Sequence, residues 1–179
     1  MQKGTTTAFL DTKPHYELLD GLRGVAALMV IWYHIFEGFA TSPMDQRFNH
    51  GYLAVDFFFI LSGFVIGYAY DDRWKTMKTK DFFKRRLIRL HPMVVLGAVL
   101  GSITFCIQGC EKWDGSQVSI SMVMLAMLMG IFLIPVAPGA GPEVRGNGEM
   151  YPLNGPSWSL FFEYIGNILY ALFIRKLST

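Results

Sequence analysis

An all-α membrane bundle of about five transmembrane helices is the fold class this sequence predicts, and three observations predict it. Hydrophobic residues make up 52% of the 179 positions, while charged residues make up only 17%. The apolar residues gather into five segments, 22–39, 53–70, 92–107, 118–136 and 158–174. Each approaches the ~20 residues that a helix needs to cross a bilayer core. Polar or basic stretches separate them. Helices are expected because lipid offers no partner for unpaired backbone groups.

The first segment carries a polar stripe. Arg23 and His34 are 11 residues apart, which at about 100° per residue closes three turns and puts both on one face, about 16 Å apart along the axis. Asp20 and Glu37 flank that face, and the opposite side holds Val25, Leu28, Met29, Ile31 and Trp32. An ionisable group at mid-bilayer costs about 2.5–3.5 kcal/mol on insertion scales and normally faces a bundle interior or a wet cavity. The alternative for Arg23 is that it snorkels to the headgroups, and for His34 that it caps the outer end. Residues 1–20 are polar and lack the apolar core of a secretory signal, so this segment is expected to remain as a span.

The second segment holds Asp56 near its outer end, a candidate to pair with Arg23 or His34. It also contains Gly63 and Gly67 at GxxxG spacing, as the third contains Gly97 and Gly101. Both pairs read as close-packing positions. The connection 71–90, "DDRWKTMKTKDFFKRRLIRL", is strongly basic: eight of the 16 Lys and Arg lie between Arg73 and Arg89. The positive-inside rule keeps it in the cytoplasm and places the N-terminus there too. Pro92 is expected to mark the entry to the third span. Arg86 and Arg89, one turn apart, are either ordinary positive-inside charge or a cradle for phosphate, whose oxygens a guanidinium fork can bind in pairs. Cys106 and Cys110 have no accompanying His/Cys set, so they read as packing residues, and no metal is expected.

The connection 137–157 is rich in Gly and Pro and is expected to be irregular. Simple alternation makes it cytoplasmic and sends Arg175 and Lys176 outside, against the charge rule. In the fifth segment Ser159, Glu163, Asn167 and Tyr170 fall at spacings of four, four and three, one stripe of a helix. Glu163 lies within the apolar run and requires a partner or a function. Net charge is +2, and no nucleic-acid partner is expected.

Four blocks carry a family resemblance. "LDGLRGVAALMVIWYH" resembles the first-span signature of the acyltransferase-3 family, polytopic membrane O-acyltransferases that modify sugars and other hydroxyl-bearing molecules. Its hallmark Arg and His fall on Arg23 and His34. "VDFFFILSGFVIG" with Asp56, "FFKRRLIRLHP" with Arg86 and Arg89, and "PSWSLFFEYIGNILY" with Glu163 resemble later motifs in the same order. The resemblance implies transfer of an acyl group, acetyl being the expected case, from acyl-CoA to a hydroxyl of a carbohydrate or related acceptor. It assigns Arg23, Arg86 and Arg89 to the acyl-CoA donor and His34, Asp56 and Glu163 to catalysis. His34 would serve as base or as nucleophile, with Glu37, Asp56 or Glu163 orienting it. Family members carry roughly twice as many spans, so a single domain over 1–179 is expected, cut short at the C-terminus. A C-terminal half or a second copy would complete it. Expected surroundings are lipid and the cytoplasmic (plasma) membrane. The rival readings are a transporter or channel fragment, in which the same polar residues line a path, and an inactive partial acyltransferase.

Overall fold

The structure, a computed structural model, describes residues 14, 16–37, 39, 45 and 50–177. Among the described residues it is helical, with no β-strand: α1 (Glu17–Glu37), α2 (Leu53–Tyr70), α3 (Thr79–Ile107), α4 (Ile120–Ile131) and α5 (Ser157–Leu172), with short 3-10 turns at Asp71–Lys75 and Ile174–Lys176. The expected all-α membrane class is what is found, and four of these helices are long and apolar enough to cross a membrane.

Three boundaries differ from expectation for physical reasons. α1 starts at Glu17 rather than 22, because Glu17 and Asp20 in its first turn suit the positive end of the helix dipole. α3 starts at Thr79, not at Pro92, and runs for 29 residues. The basic stretch before Pro92 consists mainly of good helix formers, and Pro92 inside the helix removes one backbone hydrogen bond. α4 is only 12 residues long rather than spanning 118–136. It ends where Leu133 adopts a left-handed φ of 53° and Pro135 follows.

The chain forms two compact units, Met1–Asp72 and Arg73–Thr179. In the first, α1 packs on α2. A side chain at Gly51 would strike Tyr33, so the chain entering α2 lies directly on α1. Tyr16 meets Phe64 and Tyr68 edge-on, and the Tyr68 hydroxyl donates to the Pro14 carbonyl at 3.0 Å. Ala26 is the one buried position of α1. Its other faces expose Leu28, Ile31 and Trp32, as expected of a helix solvated by lipid.

In the second unit α3 and α5 run antiparallel, matched along their length. Arg175 Nη2 donates to Thr79 Oγ1 at 3.3 Å, and the Tyr170 ring lies 5.8 Å from that of Phe82. Arg86 Nη2 donates to Glu163 Oε1 at 2.6 Å. Further along, a Cβ on Gly97 would collide with the Asn154 amide, and one on Gly101 with the Leu153 carbonyl oxygen. This second GxxxG is thus a packing notch, whereas Gly63 has open space around it. One stripe of α3 faces inward: Phe82, Arg86, Val94, Ala98, Ser102 and Phe105 are buried. The far end of α3 closes over an apolar cluster of Phe105, Cys110, Val123, Ala126, Val144 and Leu153. Of the two cysteines expected to pack, Cys110 does, while Cys106 is exposed on the outer face of α3.

Two outcomes test this packing. Gly101→Ala is expected to lower the thermal midpoint in detergent through overpacking of about 1–3 kcal/mol, while Gly24→Ala, with nothing within 4 Å, leaves it unchanged or slightly higher. Arg86→Ala strands the Glu163 carboxylate and is expected to destabilise by about 3–5 kcal/mol. The double replacement Arg86→Met with Glu163→Leu should recover most of that loss in the same melting measurement.

Candidate active site

The polar stripe of α1 forms as its spacing implies, and each of its two groups finds a carboxylate one turn away. Arg23 Nη1 lies 3.1 Å from Asp20 Oδ1. His34 Nδ1 lies 2.8 Å from Glu37 Oε2. Residues three apart on a helix are neighbours, so these pairs follow directly from the sequence once the helix forms. Both remain substantially exposed, with the His34 side chain at 47%.

The chemistry of the His34 pair is directional. An ionised carboxylate can only accept, so in the neutral imidazole this contact favours the tautomer with the proton on Nδ1 and the lone pair on Nε2. Glu37 fixes the ring's tautomer and would balance the charge of an imidazolium. The sequence left the orienting carboxylate open among Glu37, Asp56 and Glu163. The structure brings Glu37 to His34. Asp56 stands exposed in the first turn of α2, where it suits the helix dipole. Among the described residues it forms no ion pair with Arg23 or His34.

Glu163 has a different companion. It meets Arg86, whose side chain is 3% exposed against 23% for Glu163. Burial of a guanidinium costs several kcal/mol unless it is paired and hydrogen-bonded, and this contact supplies the pairing. Two more residues of the Glu163 stripe face inward with it. Asn167 is buried and its Nδ2 donates to the Glu163 carbonyl at 2.6 Å. The Tyr170 hydroxyl accepts from Trp74 Nε1 at 3.1 Å. Ser159 instead turns back to the Pro156 carbonyl. Arg89, three residues on from Arg86, falls on the exposed side of α3. The two arginines expected to act together thus occupy different environments: Arg86 is packed into the seam with α5, and Arg89 is open.

Two features were not anticipated from sequence. Arg175 stacks its guanidinium 3.9 Å over the Trp74 ring, and Glu143 gathers the backbone amides of a loop. The first carries no local signal, since its partners are far apart in the chain. The second had one in the run "PEVRGNG", an acid followed by glycines free to turn their amides toward it.

Comparison with known proteins identifies the family. The family model described as "Acyltransferase domain" matches residues 16–179. "Protein 2 in picA locus" of Rhizobium radiobacter is 36% identical over 165 residues, covering 86% of this chain and 80% of that protein. "Acyltransferase MdmB" of Streptomyces mycarofaciens is 30% identical over 169 residues, 88% of this chain and 38% of its own length. A Staphylococcus aureus (strain COL) protein named as an O-acetyltransferase is 39% identical over 95 residues, half of this chain and 14% of its own length. The chain thus spans well under half of the last two relatives. No solved structure matches it. A family model that runs from just before α1 to the last residue, over a helix presenting Arg23 and His34 on one face, places the chain in the acyltransferase family, in the O-acyltransferase class.

Proposed function

We propose that this chain carries the base and part of the donor site of a membrane enzyme that moves an acyl group, acetyl in the expected case, from acyl-CoA to a hydroxyl of a carbohydrate or related acceptor. The observation that supports this reading best is the His34–Glu37 contact of 2.8 Å on the face of α1 that also holds Arg23. In the proposed step Nε2 of His34 takes the proton of the acceptor hydroxyl. The oxygen attacks the thioester carbonyl, the C–S bond breaks, and the CoA thiolate recovers the proton from the imidazolium. Glu37 holds the ring through both transfers. The step is written with His34 as base; a nucleophile role would use the same Nε2 lone pair.

The donor brings phosphates, and arginine binds them well. Arg89, exposed on α3, is the arginine of its motif that can meet them directly, while Arg86 holds the helix that presents it. Arg23, already near Asp20, supplies charge at the inner end of the α1 stripe. Glu163 serves the reaction by holding Arg86. Carbohydrate as acceptor and the cytoplasmic membrane as location belong to the same proposal.

The reading is tested in membranes that carry the protein, supplied with labelled acetyl-CoA and scored for label in hydroxyl acceptors and for free CoA thiol. His34→Ala at equal protein level is expected to lower transfer by about 10²–10⁴-fold. Near-normal turnover would remove His34 from catalysis. Arg89→Ala is expected to raise the KM for acetyl-CoA and to leave kcat close to its original value. An unchanged donor dependence would remove Arg89 from the donor site, and solute flux without any acyl transfer would favour the transporter reading instead.

A further inference from the structure

The second unit contains a geometry that simple alternation of spans does not allow. Arg175 lies beside Thr79 and Trp74, at the end of α3 that bears the basic cluster. Three successive full crossings by α3, α4 and α5 would deliver it to the other side.

α4 is where the count changes. Its 12 residues extend about 18 Å, against a hydrocarbon core of about 30 Å. It begins near the far end of α3, where the Val118 amide donates to the Cys110 carbonyl at 2.8 Å. It ends near Ala98, whose Cβ would sit 3.5 Å from a Cβ on Gly130. Measured along α3, that point is about 28 Å short of Thr79 and about 14 Å from Ile107. The apolar stretch of α3 runs from Leu90 to Ile107, so α4 stops near its middle.

From there the chain returns the way it came. Leu133 turns it, and by Arg145 it is back at the far end of α3. The Arg145 guanidinium lies 5.1 Å over the Phe105 ring, and the Arg145 carbonyl accepts from the Trp113 amide at 3.0 Å. This returning limb is not helical. Irregular backbone survives at membrane depth only where protein satisfies it, and here protein does. The Val136 amide donates to the Met150 carbonyl at 2.9 Å, and the Tyr151 hydroxyl to the Leu133 carbonyl at 2.9 Å. Glu143, 5% exposed, accepts from the amides of Gly146, Asn147 and Gly148 on one oxygen, at 2.7, 3.0 and 3.2 Å. α5 then starts from Leu153 and Asn154, beside Gly101 and Gly97, and descends to Thr79.

The geometry points to a re-entrant element: α4 and residues 132–145 enter the membrane from the side opposite the basic cluster, turn at about half depth, and return to the same side, and residues 146–156 then lead back in to the level of Gly97 and Gly101, where α5 begins. Among the described residues the chain crosses four times, at α1, α2, α3 and the limb 146–172 that ends in α5. Arg175 and Lys176 then share a side with Arg73–Arg89, and the expectation that sent them outside is replaced by one that satisfies the positive-inside rule at every basic cluster. This inference is independent of the catalytic reading.

Single cysteines test it in a Cys106→Ser, Cys110→Ala background, with a membrane-impermeant maleimide applied to sealed right-side-out vesicles before and after permeabilisation. Asp114→Cys and Asn147→Cys are expected to label in sealed vesicles. Lys75→Cys and Lys176→Cys are expected to label only after permeabilisation. Asn147→Cys labelling together with Lys75→Cys, or failing to label until lipid is dissolved, overturns the re-entrant path. So does Lys176→Cys labelling in sealed vesicles, and this variant at an exposed end decides the crossing count even if Asn147→Cys does not accumulate.

Discussion

The second unit depends on one buried ion pair. Arg86 and Glu163 join α3 to α5 at a depth where neither can be left alone: a guanidinium at 3% exposure has no water to fall back on. Everything around the pair is arranged to keep those two helices at the right spacing. The glycine notch at 97 and 101 lets the chain entering α5 lie directly on α3. The Phe82, Tyr170 and Trp74 rings close the near end, and the Phe105 cluster closes the far end. An apolar pair could fill the same space. A salt bridge adds register, because sliding α5 by one turn would separate the charges.

This arrangement divides the basic motif between structure and chemistry. Arg86 and Arg89 are three residues apart, and a helix places such neighbours on adjacent but distinct faces. One face of α3 is committed to α5. The other is open, and it is there that the proposed anionic donor would be met. Two of the three acidic residues set against His34 in the sequence divide in the same way. Glu37 stands beside the imidazole, and Glu163 is spent on Arg86.

The class of the fold and the α1 stripe were legible in the sequence because both rest on local rules. Apolar length identifies spans, and a separation of 11 residues returns to the same helical face. The Arg86–Glu163 pair was not read, although half its signal was present. Ending the basic connection at Pro92 treated "FFKRRLIRL" as a loop, so the inward face through Phe82, Arg86, Val94 and Ala98 was never drawn. A proline taken as a boundary concealed a residue on the buried stripe. The length of α4 was misjudged for the opposite reason: the run 118–136 is apolar throughout, and hydropathy does not distinguish a helix from a helix followed by a buried irregular limb. What separates them is Leu133 in a left-handed conformation and the prolines after it.

The Glu143 carboxylate changes what kind of segment 132–156 is. Loops rich in Gly and Pro are usually the part of a protein that accepts insertions and deletions most readily. Here one oxygen collects three consecutive amides from a fixed distance down the chain, and Val144 on its flank has no solvent exposure at all. Adding or removing a residue between 143 and 148 would leave a charge and several amides with nothing to bind. The stretch whose composition suggests the greatest freedom is therefore the one in which chain length is held most tightly.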